Sequence, residues 1–397
     1  MSRRAIIIIL DGAGCGAAPD AGSYGDSGSN TLGHVADAVG GAQLPALESL
    51  GLGVAVPMKG LRADIQATAA WGSMRPASPG KDSTTGHWEI AGLHLQRPFP
   101  TYPAGFPGAV LADFSRVTGR GVIGNVAGSG TAMIERYGAE HAATGAWIVY
   151  TSADSVFQVA AHESVVPLGE LYEACTVARS LLVPPHNVSR VIARPFDGSP
   201  GSYRRTSNRR DFSIEPLGET LLDALAEAGV ARAGVGKVDD LFAGRGISSQ
   251  HTRDNAEGVS LIESWIRGDG GRGNPSVSHS GFLFANLVDF DQLYGHRNDV
   301  AGFYGALRQF DLALPGILAG LRDGDLLAIT ADHGNDPTTP STDHARECVP
   351  LLVTGPGIRP VRLGERATFS DLGATVAEWF GIGFRGRGTS FLREMTA

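Results

Sequence analysis

Three short apolar runs in the sequence each lead directly into acidic or imidazole side chains. The runs occupy residues 5–10, 282–288 and 326–330. The side chains that follow them, together with two nearby histidines, are Asp11, Asp291, His296, Asp332, His333 and His344. Carboxylate and imidazole ligands without thiolates suit Mn, Mg or Zn ions rather than iron–sulfur clusters or copper electron-transfer sites. The positive charge of two divalent cations would exceed the negative charge of the three carboxylates. The resulting positive site would suit a phosphate ester.

Each of these six residues, taken alone, could have an ordinary structural role. An aspartate after a strand is often a loop residue or a helix cap, and a histidine is often held by hydrogen bonds within the fold. Their occurrence together at the ends of three separate strands favours a two-metal site instead.

A second candidate for chemistry is the segment at residues 80–90, Gly-Lys-Asp-Ser-Thr-Thr-Gly-His-Trp-Glu-Ile. Its hydroxyl residues run directly into a predicted helix, whose first N–H groups and partial positive charge attract anions. A hydroxyl beside a metal ion can lose its proton, attack phosphorus and hold a phosphoryl group. Ser83, Thr84 and Thr85 are alternative nucleophiles, and an ordinary Ser/Thr helix cap is the alternative without chemistry.

Nucleotide-binding motifs give a competing interpretation, which the sequence context disfavours. Residues 12–17 fit the dinucleotide pattern G-x-G-x-x-G/A, but Pro19 and Asp20 follow where an apolar helix should begin. Asp11 would also repel a pyrophosphate. Lys237 is followed by valine, so no phosphate-binding P-loop sequence is present.

Apolar runs alternate with helix-like stretches, which predicts an α/β fold with a mostly parallel sheet covered by helices on both faces. Two such helices are expected at residues 219–228 and 371–380, the second with Ser370 as its N-cap. Ligands bind at the carboxyl ends of the strands in such sheets, so the three acidic strand ends should converge.

The composition of the sequence changes near residue 97, where a Pro/Gly-rich stretch begins. The alternation of predicted strands and helices resumes near residue 216. We therefore expect two domains. Residues 1–97 and 216–397 would form one discontinuous catalytic core, and residues 98–215 would form an inserted α/β cap domain.

The composition of the chain excludes several classes of protein. The chain has 397 residues, 42% of them hydrophobic, and a formal net charge of −8, which argues against a disordered chain and a general nucleic-acid binder. Its three cysteines, Cys15, Cys175 and Cys348, form no CxxC pair, so a reducing, cytoplasmic location is expected. The apolar run at residues 5–10 is too short for a signal sequence or a membrane helix. We expect a monomer or weak oligomer without membrane partners.

These segments together resemble the phosphopentomutases of the alkaline phosphatase superfamily. The resemblance covers nearly the whole chain, and its most specific strings are Gly-Lys-Asp-x-x-Thr-Gly-His-Trp-Glu and Ala-Asp-His-Gly-Asn-Asp. Further matching segments lie at residues 10–12, 19–21, 31–34, 150–156, 191–196, 286–291, 295–297, 330–337, 342–344 and 388–392.

The resemblance implies an alkaline phosphatase-like core with a cap, and an isomerase that interconverts pentose 1-phosphates and 5-phosphates. The sugar would be ribose or 2-deoxyribose, and the reaction would pass through a phosphoenzyme and a 1,5-bisphosphate. The implied cofactors are two divalent metal ions, with Mn²⁺ expected, and a sugar bisphosphate activator such as glucose 1,6-bisphosphate or ribose 1,5-bisphosphate. A metal-dependent phosphatase, another phosphosugar mutase of the superfamily and a non-enzymatic phosphosugar-binding protein remain alternatives.

The resemblance also implies roles for individual residues. One metal would be held by Asp291, His296 and His344, and the other by Asp11, Asp332, His333 and the oxygen of the phosphorylated residue. Ser83 stands where the family has a threonine at that phosphorylated position. The side chains expected to contact sugar and phosphate are Asp154, Arg194, Arg205, Arg209 and Lys237. The family's Lys-Pro pair in the cap is replaced by Val126 and Ala127.

Overall fold

The structure, a computed structural model, describes residues 3–152, 154–268 and 280–396. The chain divides into two compact units, one made of residues 1–97 and 216–397 and the other of residues 98–215. The strands are β1 (Arg4–Leu10), β2 (Ala70–Met74), β3 (Val122–Ala127), β4 (Trp147–Thr151), β5 (Val156–His162), β6 (Arg190–Asp197), β7 (Arg204–Arg205), β8 (Arg210–Ser213), β9 (Ala231–Val235), β10 (Ser249–Gln250), β11 (Gly281–Leu287), β12 (Asp325–Thr330), β13 (Val349–Thr354) and β14 (Arg362–Arg366).

The helices alternate with these strands through most of the chain. They are α1 (Thr31–Ala38), α2 (Pro45–Leu50), α3 (Leu52–Ala55), α4 (Ser83–Ile90), α5 (Gly108–Thr118), α6 (Gly130–Thr144), α7 (Leu168–Leu181), α8 (Leu221–Glu227), α9 (Val238–Leu241), α10 (Asn255–Arg267), α11 (Val300–Ala319), α12 (Ser370–Phe380) and α13 (Leu392–Thr396). Short 3₁₀ turns occur at Ala21–Tyr24 and Gly295–Arg297, and one π-helical turn spans Phe290–Tyr294.

The first unit is built on one sheet, in which eight strands are found among the described residues. Their order is β10-β9-β11-β1-β12-β13-β2-β14. The pairs from β10 to β12 are parallel, whereas β13 runs antiparallel to both of its neighbours, β12 and β2. The predicted α/β class with a mostly parallel sheet is therefore confirmed.

Strand β1 lies at the centre of this sheet, and all seven of its residues are buried. A central parallel strand has no solvent face, so its sequence is continuously apolar instead of alternating. The isoleucine run from Ile6 to Ile9 satisfies that requirement with β-branched side chains that favour extended backbone. The exception is Arg4, whose Nε donates to Oδ1 of Asp325 at 2.7 Å at the start of β12.

The ends of the three predicted strands lie level with one another. In the parallel register, Leu10 of β1 pairs with Leu287 of β11, and Ile9 pairs with Thr330 of β12. The residues that follow these positions consequently emerge at the same edge of the sheet. The expected convergence of the acidic strand ends is confirmed.

Both predicted helices are present, with one correction at a cap. Helix α8 begins after Thr220, which forms a capping box with Asp223. Helix α12 begins at Ser370, and Phe369 occupies the N-cap position, so the prediction of Ser370 as N-cap was wrong. The hydroxyl of Ser370 instead donates to the carbonyl oxygen of Glu89 at 2.6 Å and ties α12 to α4.

The second unit has its own mixed sheet, in the order β3-β4-β5-β6-β7, with β8 paired to β6. One apolar cluster includes Phe114, Trp147 and Phe157, and a separate one includes Met133 and Phe196. Helices α5 and α7 contact each other, and α6 contacts β4 and β5. The unit is therefore an α/β layer structure with a core of its own.

Helix α11, with 20 residues, is the longest helix in the described part of the chain. It contains the buried Asp311, whose carboxylate accepts the backbone N–H groups of Ala46 and Leu47 at the start of α2. Residues 3–152, 154–268 and 280–396 contain no helix with the length and apolarity needed to cross a membrane.

Candidate metal centre

Two clusters of candidate ligands lie at the carboxyl edge of the main sheet. One ligand atom each from Asp11, Asp332 and His333 falls within 4.8 Å of the others, and the same is true of Asp291, His333 and His344. All five residues are buried. His333 thus belongs to both clusters.

His296, the sixth predicted ligand, lies against the second cluster. Its Nε2 is 3.1 Å from Oδ2 of Asp291, and its ring centroid is 4.8 Å from that of His344. Its Nδ1 lies 2.7 Å from the carbonyl oxygen of Thr342, an acceptor that fixes the hydrogen on Nδ1 and leaves Nε2 free of hydrogen in the neutral ring. The structure therefore brings all six predicted metal ligands together.

Each ligand is positioned by the strand end or turn that carries it. Asp11 follows β1 directly, and Asp332 follows β12 after one residue. Asp291 lies in the π-helical turn Phe290–Tyr294 that comes just after β11. Gly12 has φ +75°, a conformation that favours glycine, and its N–H donates to Oδ1 of Asp332 at 3.2 Å.

Two asparagines that the sequence analysis missed hold two of the carboxylates. Nδ2 of Asn286 donates to Oδ2 of Asp11 at 2.9 Å, and Nδ2 of Asn335 donates to Oδ1 of Asp291 at 2.6 Å. Such outer contacts fix the orientation of metal ligands. Asn286 could have been found from its sequence context, because a buried amide inside an apolar strand requires hydrogen-bond partners.

Several buried polar atoms at the centre have no hydrogen-bond partner among the described residues. They include Oδ1 of Asp11, Oδ2 of Asp332 and Nε2 of His344. Burying such atoms without a partner is costly, and each of the three is an atom type that coordinates divalent metals. The donor set therefore fits a pair of divalent cations.

The crowded carboxylates also disturb one another's protonation. Burial raises the pKa of Asp11, and the negative charges of Asp332 and Asp291 raise it further. Burial alone would lower the pKa of His333, but the carboxylates of Asp332 and Asp11 hold it well above its usual range. Protonated histidine offsets the negative charge here, and bound cations would take over that role by displacing the proton.

Helix α4 brings one hydroxyl to this centre. Asp82 is the N-cap and accepts the backbone N–H of Thr85 at 3.1 Å, so the alternative of Ser83 as an ordinary cap is wrong. The Oγ1 of Thr85 donates to Oδ2 of Asp82 at 2.6 Å and is occupied by that contact. Oγ of Ser83 lies 3.0 Å from Nε2 of His333 and faces the ligand cluster.

Two lysines lie near these elements. Nζ of Lys81 is 3.0 and 3.1 Å from the two carboxylate oxygens of Asp26 and 3.5 Å from Asp343, so its charge is paired within the protein. Lys237, a predicted substrate contact, precedes α9 and donates from Nζ to Oε1 of Gln292, the neighbour of Asp291.

The other four predicted substrate contacts belong to residues 98–215. Burial lowers the pKa of Arg194 to about 10, with further lowering from the positive charges of Arg209 and Arg205. Arg209 also makes two 2.7 Å hydrogen bonds to the carboxylate of Asp211. Oδ2 of Asp154 lies 3.6 Å from Nη2 of Arg190.

Comparison with known proteins identifies the family. Residues 276–383 match the model of the Metalloenzyme superfamily. The chain is 54% identical over 395 residues to a protein named phosphopentomutase from Carboxydothermus hydrogenoformans, with 99% of each chain covered. It is also 54% identical over 398 residues to a protein of that name from Anaeromyxobacter dehalogenans strain 2CP-1, with 100% of each covered. Identity at this level over the full length shows that the chain belongs to the phosphopentomutase family.

Proposed function

We propose that this chain interconverts α-D-ribose 1-phosphate, or 2-deoxyribose 1-phosphate, and the corresponding 5-phosphate. Membership in the phosphopentomutase family supports the reaction. The observation that carries the assignment is the 3.0 Å distance between Oγ of Ser83 and Nε2 of His333, inside a cluster of buried carboxylates and imidazoles. A nucleophilic hydroxyl beside ligands for two metals is the arrangement that phosphoryl transfer through a phosphoenzyme requires.

The proposed cofactors are two Mn²⁺ ions. The residues that would hold one ion are Asp291, His296 and His344, and those that would hold the other are Asp11, Asp332 and His333 with the oxygen of Ser83. Divalent cations bound there would lower the pKa of the serine hydroxyl and offset charge on the phosphoryl oxygens. Oxygen and nitrogen donors without thiolate support this class of metal.

The proposed reaction has two transfers through Ser83. In the first, the bond between the serine oxygen and phosphorus breaks as a free hydroxyl of the pentose phosphate bonds to phosphorus, which gives a 1,5-bisphosphate. In the second, the serine oxygen bonds to the phosphorus of the other phosphoryl group as the bond between that phosphorus and the sugar oxygen breaks, which leaves the isomeric monophosphate. The positive end of the α4 dipole favours the phosphorylated serine at the start of that helix.

The sugar and phosphate contacts in this proposal are Asp154, Arg194, Arg205, Arg209 and Lys237. Burial lowers the pKa of Arg194, and the positive charges of Arg209 and Arg205 lower it further; a phosphate dianion would offset that repulsion. A sugar bisphosphate such as glucose 1,6-bisphosphate would supply the first phosphoryl group to Ser83. The proposed location is the cytoplasm, because three free cysteines accord with a reducing compartment.

The decisive experiment measures both the phosphoenzyme and the products. With Mn²⁺ and glucose 1,6-bisphosphate, the wild type should gain the mass of one phosphate on the peptide that contains Ser83. It should also convert ribose 1-phosphate to ribose 5-phosphate without releasing inorganic phosphate. The Ser83→Ala variant should gain no phosphate and lose about 10³-fold or more in kcat.

Thr85→Val is the matched control, because it removes a neighbouring hydroxyl without removing the proposed nucleophile. It should still become phosphorylated. Persistent labelling of Ser83→Ala would move the nucleophile to another residue. Release of inorganic phosphate in step with substrate loss would favour the metal-dependent phosphatase.

A further inference from the structure

The histidine at the middle of α4 is buried against the metal centre and has no role in the reaction described above. His87 has no solvent exposure, and its ring packs on Phe284 of β11 with the centroids 5.3 Å apart. Its Nδ1 lies 2.9 Å from the carbonyl oxygen of Ser83 and 3.1 Å from Oδ2 of Asp332. One imidazole nitrogen is thus close to both the nucleophile's backbone and a metal-binding carboxylate.

The partners of Nδ1 fix where the ring hydrogen lies. A backbone carbonyl can only accept a hydrogen bond, so Nδ1 must carry the hydrogen. Nε2 is buried without a hydrogen-bond partner among the described residues, and an N–H there would be a donor without an acceptor. The ring therefore presents one directed N–H, on the side that faces Ser83 and Asp332.

The residue before His87 shows that close packing of α4 on Asp332 is built into the backbone. A Cβ at Gly86 would overlap the carbonyl oxygen of Asp332 and lie 2.9 Å from the Cβ of that residue. Only glycine lets the helix come this near. The approach allows the imidazole at the next position to reach the carboxylate of Asp332.

The carboxylate of Asp332 accepts one hydrogen bond on Oδ1, and the imidazole N–H that donates to Ser83 lies 3.1 Å from its other oxygen. The backbone N–H of Gly12 donates to Oδ1 at 3.2 Å, and Nδ1 of His87 lies beside Oδ2. Hydrogen-bond donors behind a ligating carboxylate fix its orientation and are worth about 10- to 100-fold in metal affinity or activity.

We propose that His87 is a positioning residue, whose Nδ1–H holds the first turn of α4 and the carboxylate of Asp332 in a fixed relation. Through this contact it sets the distance between the Ser83 hydroxyl and the metal ligands. It does not touch the substrate, so its removal should weaken metal binding and slow phosphoryl transfer while substrate affinity changes little.

A pair of amide variants tests the position of the donor. In His87→Asn the amide nitrogen is bonded to Cγ, as Nδ1 is, whereas in His87→Gln it lies one atom further out. We expect the Gln variant to bind Mn²⁺ about 10- to 100-fold more weakly than wild type, measured by the paramagnetic resonance of free Mn²⁺. The Asn variant should restore most of that affinity, since it keeps a donor where the carboxylate needs one.

His141→Asn is a control for the loss of a buried histidine. His141 is also fully buried, and its Nδ1 lies 2.6 Å from the carbonyl oxygen of Ala146, but it belongs to the unit of residues 98–215. Its replacement should leave Mn²⁺ affinity unchanged. Circular dichroism of each variant separates weakened binding from misfolding.

Equal Mn²⁺ affinity in His87→Gln and wild type would overturn the proposal, and so would equal loss in His87→Asn and His87→Gln. The kinetic measurement rests on the proposed function and should give a lower kcat in His87→Gln with KM for ribose 1-phosphate nearly unchanged. Failure of the wild type to form ribose 5-phosphate would instead count against the proposed function, because the Mn²⁺ measurement does not depend on turnover.

Discussion

At the scale of single residues, Glu347 is a buried carboxyl beneath the metal centre. It accepts hydrogen bonds from the backbone N–H of Thr31 at 2.9 Å, from the Thr31 hydroxyl at 2.8 Å and from the N–H of Gly16 at 3.2 Å. A Cβ at Gly334 would lie 2.5 Å from its Cδ, so glycine is required beside His333. The side chain of Glu347 therefore joins the start of α1 to the loop that carries His333.

Glu347 should make the stability of the protein depend on pH. Burial raises its pKa to about 7 despite the lowering effect of its hydrogen bonds. Between pH 4.5 and 7 the unfolded chain loses this proton while the folded chain keeps it, so stability falls as pH rises through this window. The difference corresponds to about 3 kcal/mol.

The measurement compares the free energy of unfolding of wild type and Glu347→Gln in urea at pH 4.5 and at pH 7.5. Between pH 4.5 and pH 7.5, the free energy of unfolding of the wild type should fall by about 3 kcal/mol relative to that of Glu347→Gln. The same substitution at the exposed Glu227 is the control. An identical pH dependence in wild type and Glu347→Gln would contradict a raised pKa.

The sequence predicts residues at the centre only where their type implies their chemistry. Asp11 and Asp332 could be found because they follow separate apolar strands of a predicted parallel sheet, whose carboxyl ends form the edge where ligands bind. Asn335 and His87 could not, because their roles depend on which side chain lies opposite them in space. Residue type alone leaves Ser83 and Thr85 as alternative nucleophiles, and the coordinates distinguish them: Oγ of Ser83 lies 3.0 Å from Nε2 of His333, whereas Oγ1 of Thr85 donates to Asp82.

At the scale of elements, the central strand β1 is anchored at its start by a buried ion pair with β12. Nε of Arg4 donates to Oδ1 of Asp325 at 2.7 Å, and Nη1 donates to the carbonyl oxygen of Ile266 in α10 at 2.7 Å. The side chains of Arg4 and Asp325 are only 3% and 2% exposed. The pair therefore fixes the end of β1 that lies opposite the metal centre.

Removal of one partner from this pair should be strongly destabilising. Arg4→Met leaves the Asp325 carboxylate buried without its cation, which typically costs about 3–5 kcal/mol in the free energy of unfolding. Arg4→Met combined with Asp325→Leu should recover part of that loss, because no unpaired charge remains. A double-mutant cycle in urea measures the coupling.

Arg253→Met is the matched control for the same substitution in an exposed pair. Arg253 lies just before α10, contacts Glu257 in the first turn of that helix and has a side chain that is 84% exposed. Its loss should cost under about 1 kcal/mol. A similar cost at Arg4 and Arg253 would show that the buried pair does not anchor β1.

The hydrophobic pattern of the sequence predicts where the strands lie along the chain, but it does not predict whether neighbouring strands run parallel or antiparallel. Strands β1, β11 and β12 could be placed because each is a continuous apolar run. The antiparallel orientation of β13 leaves no such trace, since a buried strand is apolar in either direction. The π-helical turn at Phe290–Tyr294 could not be predicted from the sequence either, because it depends on packing after β11 rather than on local propensity.

At the scale of the whole molecule, the metal centre concentrates negative charge in a chain whose formal net charge is already −8. Its acidic ligands come from chain positions as distant as Asp11 and Asp332, and the unfolded chain cannot hold them together. Cations that bind the folded state alone stabilise it by mass action, by about 4 kcal/mol at a thousandfold excess over the dissociation constant.

Removal of metal should therefore lower the melting temperature, and Mn²⁺ should restore it. The Asp332→Asn variant should lose most of this response, because a neutral amide replaces a ligand of the first cluster. Asp239→Asn alters a separate and more exposed group of potential ligands, Asp239, Asp240 and His251, and it serves as the control. Its response to Mn²⁺ should equal that of wild type. An equal loss of the Mn²⁺ response in both variants would show that the stabilising cation does not bind specifically at the centre beside Ser83. The physical basis for placing phosphoryl transfer at that centre would then be lost.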